Sequence, residues 1–261
     1  TLSNGASTQY NYDDDGLLRV LTQRSANGSV IDKREYSVDG VGNIDQIIIN
    51  ETETIAYAYD PAYRLLSANS SDNSHDYSYT YDNVGNRQTK TANGILHYYV
   101  YSAKGNRLEQ VREDSAIGPL VNRYAYDDNG SRISTFNSSD VLSQSFTYNQ
   151  RRLVTAITAP IGNMQFAYDA NSYRIGKVSP GQQNNYLLQG EHLEAIYDEN
   201  GERQSSYLRG AVVDEIINGY EREGDKLVNQ SFHHDQVNSL TAITDHNGNV
   251  RQSIEYGPFG E

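Results

Sequence analysis

A tyrosine followed by aspartate or a small polar residue, a few turn-forming residues, and then arginine or an aliphatic residue recurs nine times along this 261-residue chain. The copies open at Tyr12, Tyr36, Tyr59, Tyr81, Tyr101, Tyr126, Tyr148, Tyr168 and Tyr197, with spacings of 24, 23, 22, 20, 25, 22, 20 and 29 residues. Self-similarity at such a period marks a chain of stacked supersecondary units, each unable to bury its apolar face alone. Because the period wanders by a few residues, the insertions must fall in loops.

Each copy carries the chemistry of a β-hairpin. Alternation such as Tyr57-Ala58-Tyr59 and Tyr77-Ser78-Tyr79-Thr80-Tyr81 puts the rings on one face of a strand, since strand side chains alternate with period two. Asp13, Asp60, Asp82, Asp127, Asp169 and Asp198 stand where a side-chain carboxylate can accept from amides about two residues on. Gly16, Gly42, Gly85, Gly105, Gly130 and Gly201 then supply the positive φ of a tight reversal. Pairs such as Arg64-Leu65, Arg107-Leu108, Arg132-Ile133, Arg152-Leu153 and Arg174-Ile175 open the returning strand, where the guanidinium can stack on neighbouring rings. The expected fold is all-β: tandem hairpin repeats forming a continuous curved antiparallel sheet. A repeat sheet occupies residues 1–230, and an end segment with turn glycines Gly248 and Gly260 and the aromatic Tyr256 occupies 231–261.

Composition limits what such a sheet can enclose. The apolar residues make up 36% of the chain, below the roughly 45–50% of globular averages, so a thick dry core is hard to build. The 22 tyrosines suit a thin interior, because the ring buries area while the hydroxyl keeps a partner. A net charge of −13 argues against nucleic acid as a partner, since phosphate binding needs clustered Lys and Arg. With no cysteine there is neither a disulfide framework nor a thiolate metal site. No apolar run approaches the roughly 18 residues that span a bilayer, so membrane insertion by this segment is not expected. Both ends read as cut from something longer.

The repeat resembles the YD-repeat, or RHS-repeat, family over nearly the whole chain. The stretch from Phe232-His233-His234-Asp235-Gln236 through Asn249-Val250, with Tyr256-Gly257-Pro258-Phe259-Gly260-Glu261, looks like the RHS-associated core signature. Two positions depart from it: the family usually has Gly where Asn238 stands and Asp where Gly257 stands. The resemblance implies an arc of a β-sheet shell that encloses a toxic C-terminal polypeptide in bacterial RHS and insecticidal-complex proteins, or serves adhesion in animal teneurins. Expected partners are therefore the remainder of the shell and its enclosed polypeptide, with a carbohydrate- or protein-binding adhesion module at the cell surface as the alternative. A secreted or cell-surface location follows, and the missing cysteines lean bacterial.

No residue set selects a catalytic site, cofactor or metal. His233-His234-Asp235 is the most tempting metal candidate, but neighbouring strand side chains point to opposite faces, so packing within a terminal strand is the expected role. His75, His97, His192 and His246 stand alone in the sequence. Asp13-Asp14-Asp15-Gly16, Asp127-Asp128-Asn129-Gly130 and Asp198-Glu199-Asn200-Gly201 gather oxygens beside a glycine, yet lack the alternate spacing and terminal Glu of a calcium loop. Neither a nucleophile elbow, a phosphate loop, a dinucleotide fingerprint nor a zinc helix is present. A non-enzymatic scaffold is the expectation.

Overall fold

The computed structural model describes residues 2, 4–72, 76–103, 105–210 and 215–260. His75, Lys104 of the fifth copy and the terminal Glu261 lie outside the described residues. Among the described residues there is no helix, and 23 strands follow one another. The first are β1 (Ser7–Tyr12), β2 (Leu18–Arg24), β3 (Val30–Val38), β4 (Ile44–Ile49), β5 (Glu53–Tyr59) and β6 (Leu65–Ser70). Next come β7 (Tyr77–Tyr81), β8 (Arg87–Ala92), β9 (Ile95–Tyr101), β10 (Leu108–Glu113), β11 (Leu120–Tyr126) and β12 (Arg132–Phe136). They are followed by β13 (Leu142–Tyr148), β14 (Val154–Ala159), β15 (Gly162–Tyr168), β16 (Arg174–Ser179) and β17 (Gln182–Gln189). The series ends with β18 (His192–Tyr197), β19 (Arg203–Arg209), β20 (Ile216–Glu223), β21 (Lys226–His234), β22 (Leu240–Asp245) and β23 (Val250–Ser253).

Pairing is antiparallel between strands that are neighbours in sequence, as in β7 with β8, β8 with β9 and β9 with β10. The chain divides into two units: residues 1–75, 187–197 and 202–261 form one, and residues 76–186 and 198–201 the other. The only cluster of buried apolar residues joins Leu21, Tyr36 and Ile47 in the first unit, flanked by Leu18, Ile44, Ile49 and Tyr57, among the described residues. Tyrosine thus carries part of the core, as a chain poor in aliphatics requires.

The repeat turn is one five-residue loop used again and again. In it the first residue's N–H donates to the carbonyl four residues on and its carbonyl accepts from the amide three residues on, as at Asp13, Asp39, Asp60, Asp82, Asp127 and Asp169. The carboxylate of each also accepts from the amides at both the second and the fourth following residue. Two amides on one carboxylate favour the ionised form. The Leu17 amide leads in holding Asp13 below the usual carboxylate range, and the Arg64 amide does so for Asp60. The fourth loop position has positive φ, filled by Gly16, Gly42, Gly85, Gly130, Gly201 and Gly248. Elsewhere Tyr63, Asp140, Arg152, Ser172 and Asn238 hold the same region, at φ 57 to 74°. Left-handed backbone costs a non-glycine residue about 1–2 kcal/mol, so the loop's hydrogen bonds impose the geometry even without glycine.

A second device ties each repeat to the one before it. The hydroxyls of Tyr59, Tyr101, Tyr126, Tyr148 and Tyr168 donate to the carbonyls of Ile44, Arg87, Leu108, Arg132 and Val154, at 2.9, 3.0, 2.6, 2.7 and 2.8 Å. Every acceptor lies near the start of the return strand of the preceding copy. Each half-buried ring supplies apolar area while its hydroxyl keeps a hydrogen-bond partner in that carbonyl. Tyr126→Phe is expected to lose this bond alone and to lower stability by about 0.5–1.5 kcal/mol, read from the shift in the urea midpoint.

Candidate functional site

Four of the five largest fully buried side chains are polar, and three of them, Gln23, His233 and Thr244, belong to a clasp inside the first unit. Leu21, Gln23, Ser231, His233 and Thr244 are the largest side chains with no meaningful exposure. Gln23, on β2, donates through Nε2 to the His234 carbonyl at 3.0 Å and to Thr241 Oγ1 at 3.1 Å. The Thr241 hydroxyl in turn donates to the His233 carbonyl at 3.1 Å. Asn4 Nδ2 donates to Thr244 Oγ1 at 3.0 Å and to the Asp245 carbonyl at 2.8 Å. His233 Nε2 lies 3.1 Å from the same Thr244 hydroxyl. The bonds of Gln23 and Asn4 join residues more than 200 positions apart in sequence.

An ionic and phenolic seam extends the clasp along β3. Arg34 Nε reaches Asp32 Oδ2 at 2.8 Å and Arg34 Nη1 reaches Asp235 Oδ2 at 3.3 Å. The side chains are only 14%, 11% and 9% exposed for Arg34, Asp32 and Asp235. Tyr36, the lead residue of the second copy, donates its hydroxyl to Gln236 Oε1 at 2.7 Å. Burial raises the Tyr36 phenol above its ordinary range against the pull of Arg34. Burial, with Tyr59 beside it, pushes Tyr57 up to about 12. At the end of the clasp the Gly248 turn meets the Ala26 turn so closely that a Cβ on Gly248 would lie 2.7 Å from the Ala26 nitrogen. With φ at 78° as well, only glycine fits there.

The residues singled out in the sequence distribute as follows. Asp198 accepts from the Asn200 amide, and Gly105 lies in a longer loop closed by Ser102 and Arg107, with φ at 81°. Gly260 closes a turn on the Gly257 carbonyl. Tyr12 and Tyr256 are exposed, at 61% and 45%, whereas Tyr81 and Tyr197 are half-buried strand residues. Stacking of the return-strand arginine on rings is present at Arg87, Arg107, Arg132 and Arg174, while Arg64 is bonded to the Asp60 carboxylate. One expectation is corrected: His233 and His234 do not lie in a terminal strand, because β22 and β23 follow β21 and β22 pairs with it. His233 is wholly buried and His234 half-buried, and burial holds the His233 imidazole down at about 4.

Three features have no counterpart in the motif reading. The five-residue loop also forms at Ser25 and Asn137, where no Tyr-Asp pair announces it. Three strands, rather than two, separate Tyr168 from Tyr197, which is the physical content of the 29-residue interval. The Asp198 carbonyl accordingly accepts from Asn185, near the start of β17 and remote from the Asp169 turn. Finally, Asn4, Gln23, Arg34 and Gln236 showed no periodic signal.

The family model for the teneurin YD-shell matches residues 2–261. The chain belongs to the teneurin YD-shell family. The YD-shell resemblance extends to bacterial proteins. A tRNA3(Ser)-specific nuclease WapA of Bacillus spizizenii is 26% identical over 98% of this chain and 10% of its own length. The double-stranded DNA deaminase toxin A of Burkholderia cenocepacia is 24% identical over 87% of this chain and 17% of its own. Among solved structures, the Photorhabdus luminescens Tc holotoxin pore superposes with a TM-score of 0.71 at 15% identity, over 98% of this chain and 14% of that one. The crystal structure of TcdB2-TccC3 gives a TM-score of 0.59 at 15% identity, over 99% of this chain and 15% of that one. This YD-shell chain thus spans between a tenth and a fifth of the proteins it matches, and its role is that of shell structure.

Proposed function

We propose that this chain is a stretch of wall in a bacterial, secreted YD-shell that encloses and shields a C-terminal polypeptide until release. The observation that carries the reading is the family match along residues 2–261, coupled to relatives named as a nuclease and a deaminase toxin. On this reading the segment does no chemistry, and the activities in those names belong to parts of the relatives outside the matched stretch. The clasp supports it: residues 231–261 supply the His234 carbonyl, Asp235, Gln236 and Thr241, which lock onto β2 and β3, and Thr244, which holds Asn4. Such a lock ties distant stretches of the first unit together without a disulfide.

The adhesive alternative, with rings stacking on sugars, has weaker support. Tyr99 and Tyr126 have a guanidinium over the ring at 4.4 and 5.5 Å, so one face of each is unavailable to a sugar. Limited proteolysis of the full-length gene product tests enclosure. A fragment C-terminal to this segment is expected to survive protease in the assembly and to be digested when expressed alone. Equal digestion in both settings would reject the reading.

A further inference from the structure

Charge is unevenly divided in this acidic protein. The second unit holds eleven Asp and Glu against eleven Lys and Arg, so the whole net −13 falls in the first. Within the second unit, strands β11 to β17 contain no acidic residue at all. Of their four cations, Arg132, Arg174 and Lys177 lie on the face that carries the repeat tyrosines and Arg123 lies on the other. Arg132 Cζ lies 5.5 Å from the Tyr124 ring centroid and 4.7 Å from that of Phe146. Arg174 Cζ lies 5.7 Å from Phe166 and 5.6 Å from Tyr186. Each guanidinium therefore sits between rings from the two flanking strands. Arg107 Cζ is 5.5 Å from Tyr126, and Lys177 pairs opposite Phe166 on the same face.

Ring stacking occupies the flat faces of a guanidinium and leaves the in-plane N–H fork directed outward. Arg132 and Arg174 are exposed, and among the described residues no carboxylate stands within ion-pair distance of either. A cleft of about 310 Å³ opens beside Arg107, Tyr124 and Tyr126, with Glu109 also in its lining. Arg132 and Arg174 thus hold pre-oriented bidentate donors between rings, with little nearby negative charge to satisfy them, while Arg107, beside the Tyr126 ring, also donates Nη1 to the Asp127 carbonyl at 3.3 Å.

Spacing indicates what would lie there. Arg107 and Arg132 are two strands apart and Arg132 and Arg174 four strands apart, or roughly 10 and 19 Å at the usual interstrand distance. A peptide in the polyproline II conformation, with about three residues per turn and a rise of about 3.1 Å, presents every third side chain on one face roughly 9 Å apart, so carboxylates at that interval meet the row in register. Phosphates of a nucleic acid recur far more closely, about every 3.4 Å along a duplex strand. We propose that this ring-sandwiched arginine row is a docking strip for an extended acidic polypeptide segment. Taking the occupant to be part of the shielded polypeptide rests on the enclosure reading above.

Fluorescence anisotropy with the full chain tests it. The probe is a labelled peptide of about ten residues with glutamate at every third position; a peptide of the same composition with contiguous glutamates and a single-stranded oligonucleotide of equal charge are the comparators. The periodic peptide is expected to bind most tightly and to weaken as salt rises from about 50 to about 300 mM. The double variant Arg132→Gln/Arg174→Gln should weaken it about tenfold or more, with the circular dichroism spectrum unchanged. Arg174→Gln alone serves if the double variant fails to fold. Lys33→Gln is the control, because Lys33 lies on β3 in the first unit and pairs with Glu35 and Glu51, and its binding should match wild type. Unchanged affinity in the arginine variants, no periodic preference, or tighter binding of the oligonucleotide would each overturn the strip. Peptide binding together with free digestion of the downstream polypeptide would keep the strip and reject enclosure, and the converse would reject the strip alone.

Discussion

Arg34→Leu is expected to destabilise the first unit by about 3–5 kcal/mol. The guanidinium bridges Asp32 and Asp235, which are 11% and 9% exposed. Removing it leaves two carboxylates facing each other in a poorly hydrated seam, where neither has another cation within ion-pair distance among the described residues. The cost is that of an uncompensated buried charge, well above the roughly 0–1 kcal/mol of a surface ion pair. Lys33→Leu supplies the contrast, because Lys33 pairs with Glu35 and with Glu51, whose side chain is 70% exposed. A chemical denaturation series on the two variants separates them. Equal midpoints would show that the seam is not a structural tie.

Acid is expected to open the same clasp through His233. An ordinary histidine titrates near 6.5, and burial, followed by the neighbouring His234, holds the folded His233 at about 4. Below the ordinary value the unfolded chain therefore takes up a proton that the folded chain refuses. Stability is complete above about pH 6.5, falls by about 2 kcal/mol by pH 5, and is reduced on the order of 3 kcal/mol near pH 4. The carboxylates of the repeat turns act in a lower window. Asp13, Asp39 and Asp60 are held below their ordinary range, so their contribution is present above about pH 4 and lost only below it. Denaturation midpoints at pH 7 and pH 5 resolve the histidine window alone. His233→Gln should flatten the change between them, and a wild-type midpoint that stays constant would refute the assignment.

Much of the architecture was legible because it is periodic. Tyr57-Ala58-Tyr59 and Tyr77-Ser78-Tyr79 announce strands with one ring-bearing face, and β5 and β7 are there. The Asp and Gly positions announce loops, and the pattern with arginine after them announces the stacking at Arg87, Arg132 and Arg174. What stayed hidden is not periodic. Tyr63 and Arg152 occupy a backbone region that their side chains disfavour because the loop's own hydrogen bonds decide it, so local propensity gives no warning. Ser25 and Asn137 reach the same loop with different side chains. The clasp was beyond motif reading for another reason: Gln23 and Thr241 are ordinary polar residues whose partnership exists only after more than 200 residues have folded between them. His233 and Asp235 drew notice by resemblance, but not the partners that give them a role.

The tyrosine tethers carry a consequence for how such chains change over time. Each hydroxyl reaches back only to the copy before it, so gene duplication or deletion of a whole two-strand module leaves every other tether intact. The length of the sheet can then be tuned by copy number, with no compensating substitution elsewhere, whereas gain of a single strand, as before Tyr197, reverses the polarity of all modules downstream.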